Sequence, residues 1–418
     1  MTNSSFPPIK IILIGAGLRG THLTQQLADC PYNAQLVGVV EPNDYRRSSF
    51  ALKYGIPSSA QFTSWKAFFD SNLSCDAAII ATMDNQHTEP ALACLERGCH
   101  ILIEKPLSDS YKGCIQINEA QNKSGLVVSV CHTLRYMEAF QKIKQIVEAG
   151  VLGHLVHVDH MEAIGHLRFA HNYVRGRWAK EENNTFLLLH KCCHDIDFIA
   201  WIINSPCNRV SSFGSLLYFT PSNAPSGSGK RCLDDCQIQD KCLYSALHLY
   251  GKDDLTGRIQ DLGESQSHES RLSAIKNGPF GACVWHASNN VVDHQVVSME
   301  FVNGVTATCT MSGYSATHGR RTRIQGTKGE LLFDEASSSI VIQHFSNPNP
   351  TCIKLDRPTS YHPEDKDIVD TWLASIHSPS SRNIMVNSQE ALKSHAIVFA
   401  AELSRIEKRI IEISELLK

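Results

Sequence analysis

Residues 190–197 concentrate side chains that can hold or move a proton. Histidine and lysine occupy positions 190 and 191, and His194 follows one helical turn later. Residues four apart lie on one face of a helix, so His190 and His194 should point into the same space, with Lys191 beside them. An imidazole titrates near neutral pH and can remove the proton of a hydroxyl group. We therefore expect His194 to act as an acid or base; the alternative is a buried histidine that is hydrogen-bonded to the backbone.

A second basic group, Lys105, lies far from this cluster in the sequence. It belongs to the tripeptide Glu104-Lys105-Pro106, which follows the apolar run Ile101–Ile103. A lysine at that place can stabilise a developing alkoxide, or act as a base if burial lowers its pKa. Removal of a hydroxyl proton, with stabilisation of the oxyanion that results, needs such groups. The candidate catalytic residues are Lys105, His194 and Lys191, although Lys191 could also be an ordinary surface lysine.

A glycine-rich turn near the N-terminus predicts a dinucleotide site. Gly15-Ala16-Gly17-Leu18-Arg19-Gly20 follows the apolar run Ile11–Ile14 and precedes a helical pattern. Such a turn lets a pyrophosphate approach the N–H groups at a helix start. Glu41, about 20 residues further on, is suited to bind the adenosine ribose, which favours NAD, while Arg46 leaves NADP open. The expected cofactor contacts are Gly15, Gly17, Leu18, Arg19, Gly20, Glu41, Arg46, Thr82, His87, Glu104 and Lys105.

Residues 165–178 combine histidines, arginines and aromatic rings ahead of the histidine cluster. Arginine forks and aromatic faces suit a hydroxyl-rich or anionic ligand, although a solvated loop could carry the same residues. His132 and Arg135 follow a predicted strand, at an edge where open parallel sheets bind ligands. Within 165–178 the preferred contacts are His171, Tyr173 and Arg175. The full set of expected substrate contacts is His132, Arg135, Glu162, His171, Tyr173, Arg175, Trp178 and His190.

Cysteines recur in two places where they could do chemistry. Cys232, Cys236 and Cys242, with His248 downstream, could bind a structural zinc ion, but their spacing is not the paired C-x-x-C arrangement that identifies such sites. We therefore expect core or loop thiols and no metal. Residues 192 and 193 are both cysteine, next to His194. We do not expect a thiol nucleophile there, because neighbouring residues on a helix point in different directions.

The elements that must position these residues change character near residue 132. Before it, short apolar runs alternate with helical patterns, which is typical of βαβ units and a parallel sheet. The expected strands are Ile11–Ile14, Leu36–Val40, Ala77–Ala81, Ile101–Ile103 and Leu126–Val130. The expected helices begin near Leu18, Gln86, Ser110 and Met137.

Later in the chain the pattern is that of strands and hairpins. Val297–Val302 and Val305–Met311 flank the turn Asn303-Gly304, which predicts an antiparallel hairpin. The segment 389–417 has helical spacing. Residues 205–281 interrupt the periodicity with Gly, Ser, Pro and Cys, so we expect them to be largely insertion loops.

These patterns predict two domains of different class. Residues 1–132 should form a Rossmann domain of the α/β class, with a doubly wound parallel sheet. Residues 133–418 should form an α+β domain, with an open antiparallel sheet and helices, that binds substrate and mediates oligomerisation.

Composition limits the class of protein further. The chain has 418 residues, 42% hydrophobic and 19% charged, with a formal net charge of −3. This balance is typical of a globular enzyme and gives no sign of nucleic-acid binding. The apolar runs are too short for a membrane span, and the N-terminus lacks the pattern of a signal peptide. We expect a cytoplasmic protein whose 15 cysteines stay reduced.

Taken together, the glycine turn, the tripeptide at 104–106 and the histidine cluster resemble the glucose-fructose oxidoreductase / inositol dehydrogenase (Gfo/Idh/MocA) family. The resemblance extends over essentially the whole chain. It implies that Lys105 orients or protonates the substrate oxygen and that His194 acts as the acid or base. It also implies a carbohydrate-like substrate and a homodimer or homotetramer. One position departs: four residues before His194 the family usually has Asp, and this chain has His190. Asp195 and Asp197 are candidates to compensate.

Three functions fit this resemblance. The first is an NAD-dependent dehydrogenase acting on a secondary hydroxyl of a sugar, sugar derivative or cyclitol. The second is an NAD-dependent glycosidase or anhydrosugar-opening enzyme, including the anhydro-sialic-acid type, that oxidises a hydroxyl transiently, eliminates, and reduces again. The presence of His190 in place of the family's aspartate favours retaining this second function, because elimination needs an additional base. The third is a sugar and NAD sensor without turnover, which the presence of both Lys105 and His194 disfavours.

Overall fold

The apolar runs of the first part of the chain form one parallel sheet. The computed structural model describes residues 7–251, 262, 267–356, 363–378 and 386–417. Six strands build the sheet: β1 (Ile9–Ile14), β2 (Ala34–Val40), β3 (Gln61–Phe62), β4 (Ala77–Ile80), β5 (His100–Ile103) and β6 (Val128–Val130). Their order is β3-β2-β1-β4-β5-β6, the doubly wound order of a Rossmann domain. The five expected strands are confirmed, and only the two-residue edge strand β3 was not foreseen.

Helices cover both faces of this sheet, which explains why its central strands are almost wholly apolar. They are α1 (Leu18–Gln25), α2 (Asp44–Tyr54), α3 (Trp65–Phe69), α4 (Thr88–Glu96) and α5 (Tyr111–Ser124), followed by α6 (Glu138–Glu148). Local signals set several of their ends. The Ser110 side chain accepts a hydrogen bond from Gly113 N at the start of α5, and Gly55 ends α2 with a φ of 66°.

A nine-stranded sheet forms the second part of the molecule. Its strands are β7 (Leu155–Ala163), β8 (Cys207–Ser215), β9 (His294–Phe301), β10 (Thr306–Ser312), β11 (Gly319–Gly326), β12 (Gly329–Asp334), β13 (Ser339–His344), β14 (Thr351–Lys354) and β15 (Ile411–Glu412). The order is β14-β13-β12-β11-β7-β10-β9-β8-β15. The predicted β9–β10 hairpin is confirmed. The sheet is mixed, since β7 and β10 pair in parallel, and the other pairings are antiparallel as expected.

One face of this sheet is covered by helix and the other is open. The α-helices that follow among the described residues are α7 (His166–Phe169), α8 (Leu187–Ile203), α9 (His268–Asn277), α10 (Asp365–His377) and α11 (Ser388–Glu407). Helix α8 packs on the sheet and is almost entirely buried. The large apolar side chains of Phe213, Val296 and Leu332 are exposed on the strands. An exposed apolar sheet face is a site for association; the homodimer or homotetramer stays a prediction.

The last two helices return to the first sheet. Trp372 and Leu373 of α10 are fully buried in the same core cluster as Ile11 and Leu13 of β1. Residues after 132 therefore complete the core of the parallel sheet, and the division into 1–132 and 133–418 stays a prediction. Among the residues that the structure describes, no helix is long and apolar enough to cross a bilayer.

Two expectations for the second part need correction. The helix predicted over 389–417 ends at Glu407, because Lys408 adopts a left-handed φ of 58° and the chain then pairs as β15 with β8. The segment 205–281, expected to be largely loops, contains β8 and the whole of α9 as well as loops. Because β8 consists largely of small polar residues, its sequence shows no clear alternation of apolar and polar positions. These residues form a strand because β9 pairs with them along their length.

Candidate active site

The glycine turn after β1 has the shape that a bound pyrophosphate needs. Gly15 has a φ of +98°, and a Cβ there would lie 2.5 Å from Ala81 O. A Cβ on Gly20 would lie 2.1 Å from Gly15 O, so both glycines are required by the backbone itself. Gly17 is different: a Cβ on it would meet no atom within 4 Å. Open space above Gly17, at the start of α1, fits the phosphates of a dinucleotide.

Glu41 lies directly after β2 and is fixed against this turn. Its carboxylate accepts hydrogen bonds from Ala16 N at 3.0 Å and Asn43 N at 2.9 Å. Arg46 Nη2 donates to the same carboxylate at 2.8 Å. The side chain is therefore positioned beside the turn, where the adenosine ribose is expected, and it neutralises the cation that could otherwise attract a 2′-phosphate.

Arg19 is engaged by carboxylates rather than held open for a phosphate. Its Nε donates to Glu104 at 2.8 Å, and its two terminal nitrogens donate to Asp365 of α10 at 2.7 and 2.8 Å. Burial alone would lower the pKa of Arg19, but Glu104 and Asp365 raise it well above its ordinary value. Burial would raise the pKa of Glu104, while Arg19 and Lys105 bring it below its usual range. Leu18 is 45% exposed at the same turn.

Thr82 and His87 follow β4, but only Thr82 is partly accessible. The His87 ring is fully buried, with Nδ1 2.6 Å from Pro106 O and Nε2 3.4 Å from Thr82 O. His87 thus positions the loop that carries Lys105. This geometry does not support its expected contact with a cofactor. The sequence alone could not distinguish a cofactor contact from a residue that positions this loop, because either one is a polar residue just after a strand.

Lys105 links the parallel sheet to helix α8. Its Nζ donates to the backbone carbonyl of His190 at 2.6 Å. The imidazole of His190 in turn has Nδ1 2.6 Å from Asp84 Oδ2. Asp84 lies in the turn after β4, so the carboxyl edge of the Rossmann sheet meets the first turn of α8 at three polar residues. Such an edge is where open α/β sheets bind their ligands.

The charges of this pair follow from burial and from Lys105. Burial lowers the pKa of His190 below its ordinary value, and the Lys105 cation lowers it further against the opposing effect of Asp84. Burial would raise the pKa of Asp84, but His190 and Lys105 hold it below its usual range. Near pH 7 the pair is a carboxylate and a neutral imidazole. The hydrogen bond assigns the proton to Nδ1, which makes Nε2 the basic nitrogen.

His194, one turn further along α8, faces His132 from the loop after β6. The two rings are 5.4 Å apart in an edge-to-face arrangement. Burial lowers the pKa of His194 well below its ordinary value, and His132 and Lys105 lower it further. His194 Nδ1 and both ring nitrogens of His132 have no hydrogen-bond partner among the described residues. A neutral imidazole with an unpaired ring nitrogen is the state that a proton acceptor requires.

The other charged residues of α8 are paired away from this histidine face. Lys191 Nζ lies 2.9 Å from Glu162, which also lies 3.1 Å from Arg320. Asp195 contacts His160 at 2.9 Å and Arg320 Nε at 2.6 Å. Lys191 and Glu162 were both expected in the site, but they form an ion pair with each other at the end of β7.

Asp197 is likewise occupied, by two hydrogen bonds of 2.8 and 2.9 Å from Arg135. Arg135 is buried by this pairing and is not placed to bind a substrate. Neither Asp195 nor Asp197 compensates for the aspartate that the family motif has at position 190; the carboxylate next to His190 is Asp84. Sequence reasoning missed Asp84, although a polar residue just beyond a buried strand is a signal that could have found it.

The segment 165–178 divides into two groups. Trp178 and Tyr173 approach the His190 ring, with centroids 4.7 and 5.9 Å away, and form an aromatic wall beside it. His171 instead contacts Tyr250 and stacks on Phe280, and Arg175 donates to the carbonyls of Ala282 and Tyr244. The structure thus brings Tyr173 and Trp178 to the candidate site. It places His171 and Arg175, the other preferred contacts, against the insertion.

Thiol chemistry is disfavoured at this site, in line with the sequence. Cys192 and Cys193 are buried within α8. Burial raises the pKa of Cys193 to about 12 and that of Cys192 well above its ordinary value. Both thiols stay protonated near neutral pH, and a protonated thiol is a poor nucleophile.

Comparison with known families agrees with the two-part architecture. Residues 9–132 match the model of the oxidoreductase family with an NAD-binding Rossmann fold, and residues 144–372 match the model of its C-terminal alpha/beta domain. The chain belongs to the Gfo/Idh/MocA oxidoreductase family.

Individual relatives are distant. The 2,7-anhydro-N-acetylneuraminate hydratase of Escherichia coli is 22% identical over 97% of both chains. Inositol 2-dehydrogenase 4 of Saccharopolyspora erythraea is 27% identical over 52% of this chain and 60% of its own. Several other curated relatives are matched over 54–60% of their length.

Solved structures confirm the fold. Levoglucosan dehydrogenase in complex with NADH and L-sorbose superposes with a TM-score of 0.71 at 14% identity, over 98% of this chain and 99% of that one. Aldose-aldose oxidoreductase from Caulobacter crescentus gives 0.66 at 16% identity, over 97% and 100%. Identities this low establish the shared architecture and no more.

Proposed function

We propose that this protein is an NAD-dependent oxidoreductase that transfers hydride between nicotinamide and a secondary hydroxyl of a sugar, sugar derivative or cyclitol. The observation that supports it most is the meeting of Lys105 with the histidine face of α8 at the carboxyl edge of the Rossmann sheet. NAD would supply the hydride acceptor at that edge. The open space at Gly17 and the fixed carboxylate of Glu41 fit that cofactor.

The proposed role of each residue follows from its charge. His194 is neutral and is suited to take the proton of the substrate hydroxyl. Lys105 supplies the positive charge that stabilises an oxyanion, and its bond to the His190 carbonyl fixes where that charge lies. The rings of Trp178 and Tyr173 offer apolar faces of the kind that pack against a sugar ring. Lys191, bound to Glu162, contributes positive charge near the site without reaching into it.

Glu41 supports NAD over NADP in this proposal. Its carboxylate repels a 2′-phosphate, and its bond to Arg46 removes a cation that would attract one. The experiment that tests the proposal is incubation of the purified protein with NAD or NADP and a panel of sugars, cyclitols and aryl glycosides. Absorbance of reduced nicotinamide and release of product are followed together. Sustained NADH formation with at least one polyol supports the proposal, and none with any of them argues against it.

A second candidate function is favoured by the pair of His190 and Asp84. In this alternative a hydroxyl of an anhydrosugar or glycoside is oxidised transiently, which acidifies the neighbouring C–H bond. A base would then remove that proton and elimination would break the C–O bond. Water would add to the resulting unsaturated ketone, and the ketone would be reduced by the NADH formed in the first step. His190 Nε2, with Asp84 behind it, would be the additional base. The hydratase of E. coli, matched over nearly its whole length, fits this alternative. Cleavage without net NADH formation would favour it over the first.

A further inference from the structure

Three cysteines of the insertion and one that directly follows it line one small cavity. They are Cys232, Cys236, Cys242 and Cys283, and the cavity measures about 10 Å³, with Arg175 and Trp285 also on its wall. Such a volume has room for about one water molecule or one ion. His248, the histidine considered with the first three cysteines, is exposed and does not line this cavity. The fourth cysteine is therefore one that sequence spacing did not reveal.

Backbone pairing holds two of these cysteines side by side. Arg231 and Ala282 form an isolated antiparallel bridge. On either side of it, Cys232 N donates to Gly281 O and Cys283 N donates to Lys230 O, both at 2.9 Å. Each of these cysteines directly follows a bridge residue, so their side chains lie on the same face of the two paired segments.

The sulfur atoms are surrounded by hydrogen-bond donors. Cys232 Sγ accepts from Ala246 N at 3.4 Å and lies 3.7 Å from Arg175 Nη2. The sulfur of Cys242 accepts a hydrogen bond from the backbone N–H of Tyr244. The sulfur of Cys283 accepts hydrogen bonds from the backbone N–H groups of residues 285 and 286. A thiol is a weak acceptor and a thiolate a strong one, so this arrangement suits thiolates.

Positive charge is also provided beside the cavity. Arg175 is 3% exposed, and its Nη1 has no hydrogen-bond partner among the described residues. A buried guanidinium with an unpaired nitrogen is costly unless negative charge lies nearby. Four thiolates around a divalent ion leave two negative charges, which Arg175 would partly offset. Because the cavity has room for only about one ion, a mononuclear centre fits better than an iron–sulfur cluster.

We propose that Cys232, Cys236, Cys242 and Cys283 bind one structural Zn²⁺ ion. As the side chains stand, no three metal-binding side chains of the described residues are close enough to hold an ion. Binding therefore requires the thiols to turn into the cavity and to release four protons, giving zinc–sulfur distances of about 2.3 Å. The ion would tie the insertion to Arg175, three residues before the aromatic residue Trp178 that contacts His190. This inference does not depend on the proposed function.

The test measures zinc in the full-length protein after expression in zinc-supplemented medium and desalting. We expect one zinc per chain in the wild type and a loss of at least tenfold in Cys283→Ser and Cys242→Ser. The matched control is Cys352→Ser, since Cys352 is exposed on β14 and should not affect zinc content. Replacement of zinc by Co²⁺ should give the absorption of thiolate-to-cobalt charge transfer, which these two variants should lack.

A second measurement, made on the wild type, keeps the proposal testable if the cysteine variants fail to fold. In the wild type, a mercurial reagent that modifies thiols should release one zinc per chain, and a strong chelator should lower the melting temperature. Absence of zinc together with absence of the cobalt absorption would overturn the proposal. So would a disulfide among the four cysteines in peptides mapped without reduction, or the chromophore and iron of an iron–sulfur cluster.

Discussion

Asp84 and His190, 106 residues apart in the chain, are joined by a hydrogen bond of 2.6 Å at the boundary between the parallel sheet and helix α8. The family motif usually has an aspartate where this chain has His190. In this chain the carboxylate beside position 190 belongs to Asp84 and comes from the loop after β4. His190 and Asp84 therefore form a carboxylate and imidazole pair, whose outer nitrogen is basic.

The variant Asp84→Asn separates the two candidate functions. Asp84 raises the pKa of His190, so its removal should move the acidic limb of any His190-dependent reaction to lower pH. If His190 is the base for elimination, cleavage should fall by about 10²-fold or more, because an amide cannot stabilise the imidazolium. The pH profile of kcat/KM measures both effects. Asp70→Asn, at an exposed position, is the control. An unchanged profile and rate in Asp84→Asn would show that the pair has no part in turnover.

Removal of Lys105 or His194 should abolish most of the activity and leave the cofactor bound. For Lys105→Ala and His194→Ala we expect kcat/KM to fall by about 10² to 10⁴, the usual contribution of a positioned acid or base. The dissociation constant of NAD, measured by fluorescence titration, should change far less. Lys112→Ala, on the exposed side of α5, is the control. Turnover near the wild-type rate in both site variants would show that the site is assigned wrongly.

His194 also makes a prediction about pH. Its pKa is held well below the ordinary histidine value, mainly by burial. It therefore remains neutral, and able to accept a proton, as the pH falls through 6.5. The rate of alcohol oxidation should stay level through that range and decline only at lower pH. A decline with a midpoint near 6.5 that disappears in His194→Ala would contradict the buried state of this imidazole.

Glu41 should set the choice between NAD and NADP. In Glu41→Ala the 2′-phosphate is no longer repelled and Arg46 is released to attract it. Loss of charged hydrogen bonds to the ribose should weaken NAD by about 1.5–3 kcal/mol, roughly 10- to 150-fold, while NADP should weaken less or improve. Titration with both nucleotides measures the ratio. Asp44→Ala, whose side chain is 85% exposed nearby, is the control. A constant ratio would remove Glu41 from the ribose site.

Two glycines of the turn should respond differently to alanine. Gly17→Ala meets no atom within 4 Å, so the protein should keep its melting temperature while dinucleotide binding weakens. Gly20→Ala places a Cβ 2.1 Å from Gly15 O and should lower stability directly. Thermal melts without nucleotide and titrations with NAD distinguish the two effects. If Gly17→Ala binds NAD as the wild type does, the cofactor does not approach that part of the backbone.

His395 should make stability depend on acid pH. Burial, with the nearby charge of His132, lowers its pKa to about 3. The unfolded chain takes up a proton below pH 6.5 that the folded chain cannot, so this contribution to stability is complete above pH 6.5. It is lost as the pH falls, by up to about 1.4 kcal/mol per pH unit. His395→Leu should therefore show a shallower decline in unfolding free energy between pH 6.5 and 4.5 than the wild type.

The same variant should be less stable at pH 7, by about 1–3 kcal/mol, because Leu107 N loses its acceptor, His395 Nε2. Urea unfolding at several pH values measures both quantities. His154→Leu, at an exposed position, is the control. Parallel slopes in the wild type and His395→Leu would show that His395 is protonated in the folded protein.

Features that depend on a short stretch of sequence could be predicted, whereas contacts that join distant segments could not. The glycine turn, Lys105 at the end of β5 and the buried strands depend on neighbouring residues, and the structure has them at the expected places. The partner of His190 could not be read from α8, because it arrives from the sheet. His171 and Arg175 have the chemistry of substrate contacts. Their side chains instead bind the insertion: His171 contacts the Tyr250 hydroxyl, and Arg175 donates to the Tyr244 carbonyl.

The ion pair between Asp365 and Arg19 matters for the design of fragments and chimeras of this protein. Arg19 belongs to the glycine turn, and Asp365 lies 346 residues later on α10, which also buries Trp372 against β1. A fragment ending near residue 132 would lack this helix and leave apolar surface of the sheet in water. A chimera that exchanges cofactor specificity should therefore carry α10 along with the first 132 residues, so that the nucleotide-binding unit is transplanted as two separate stretches of chain.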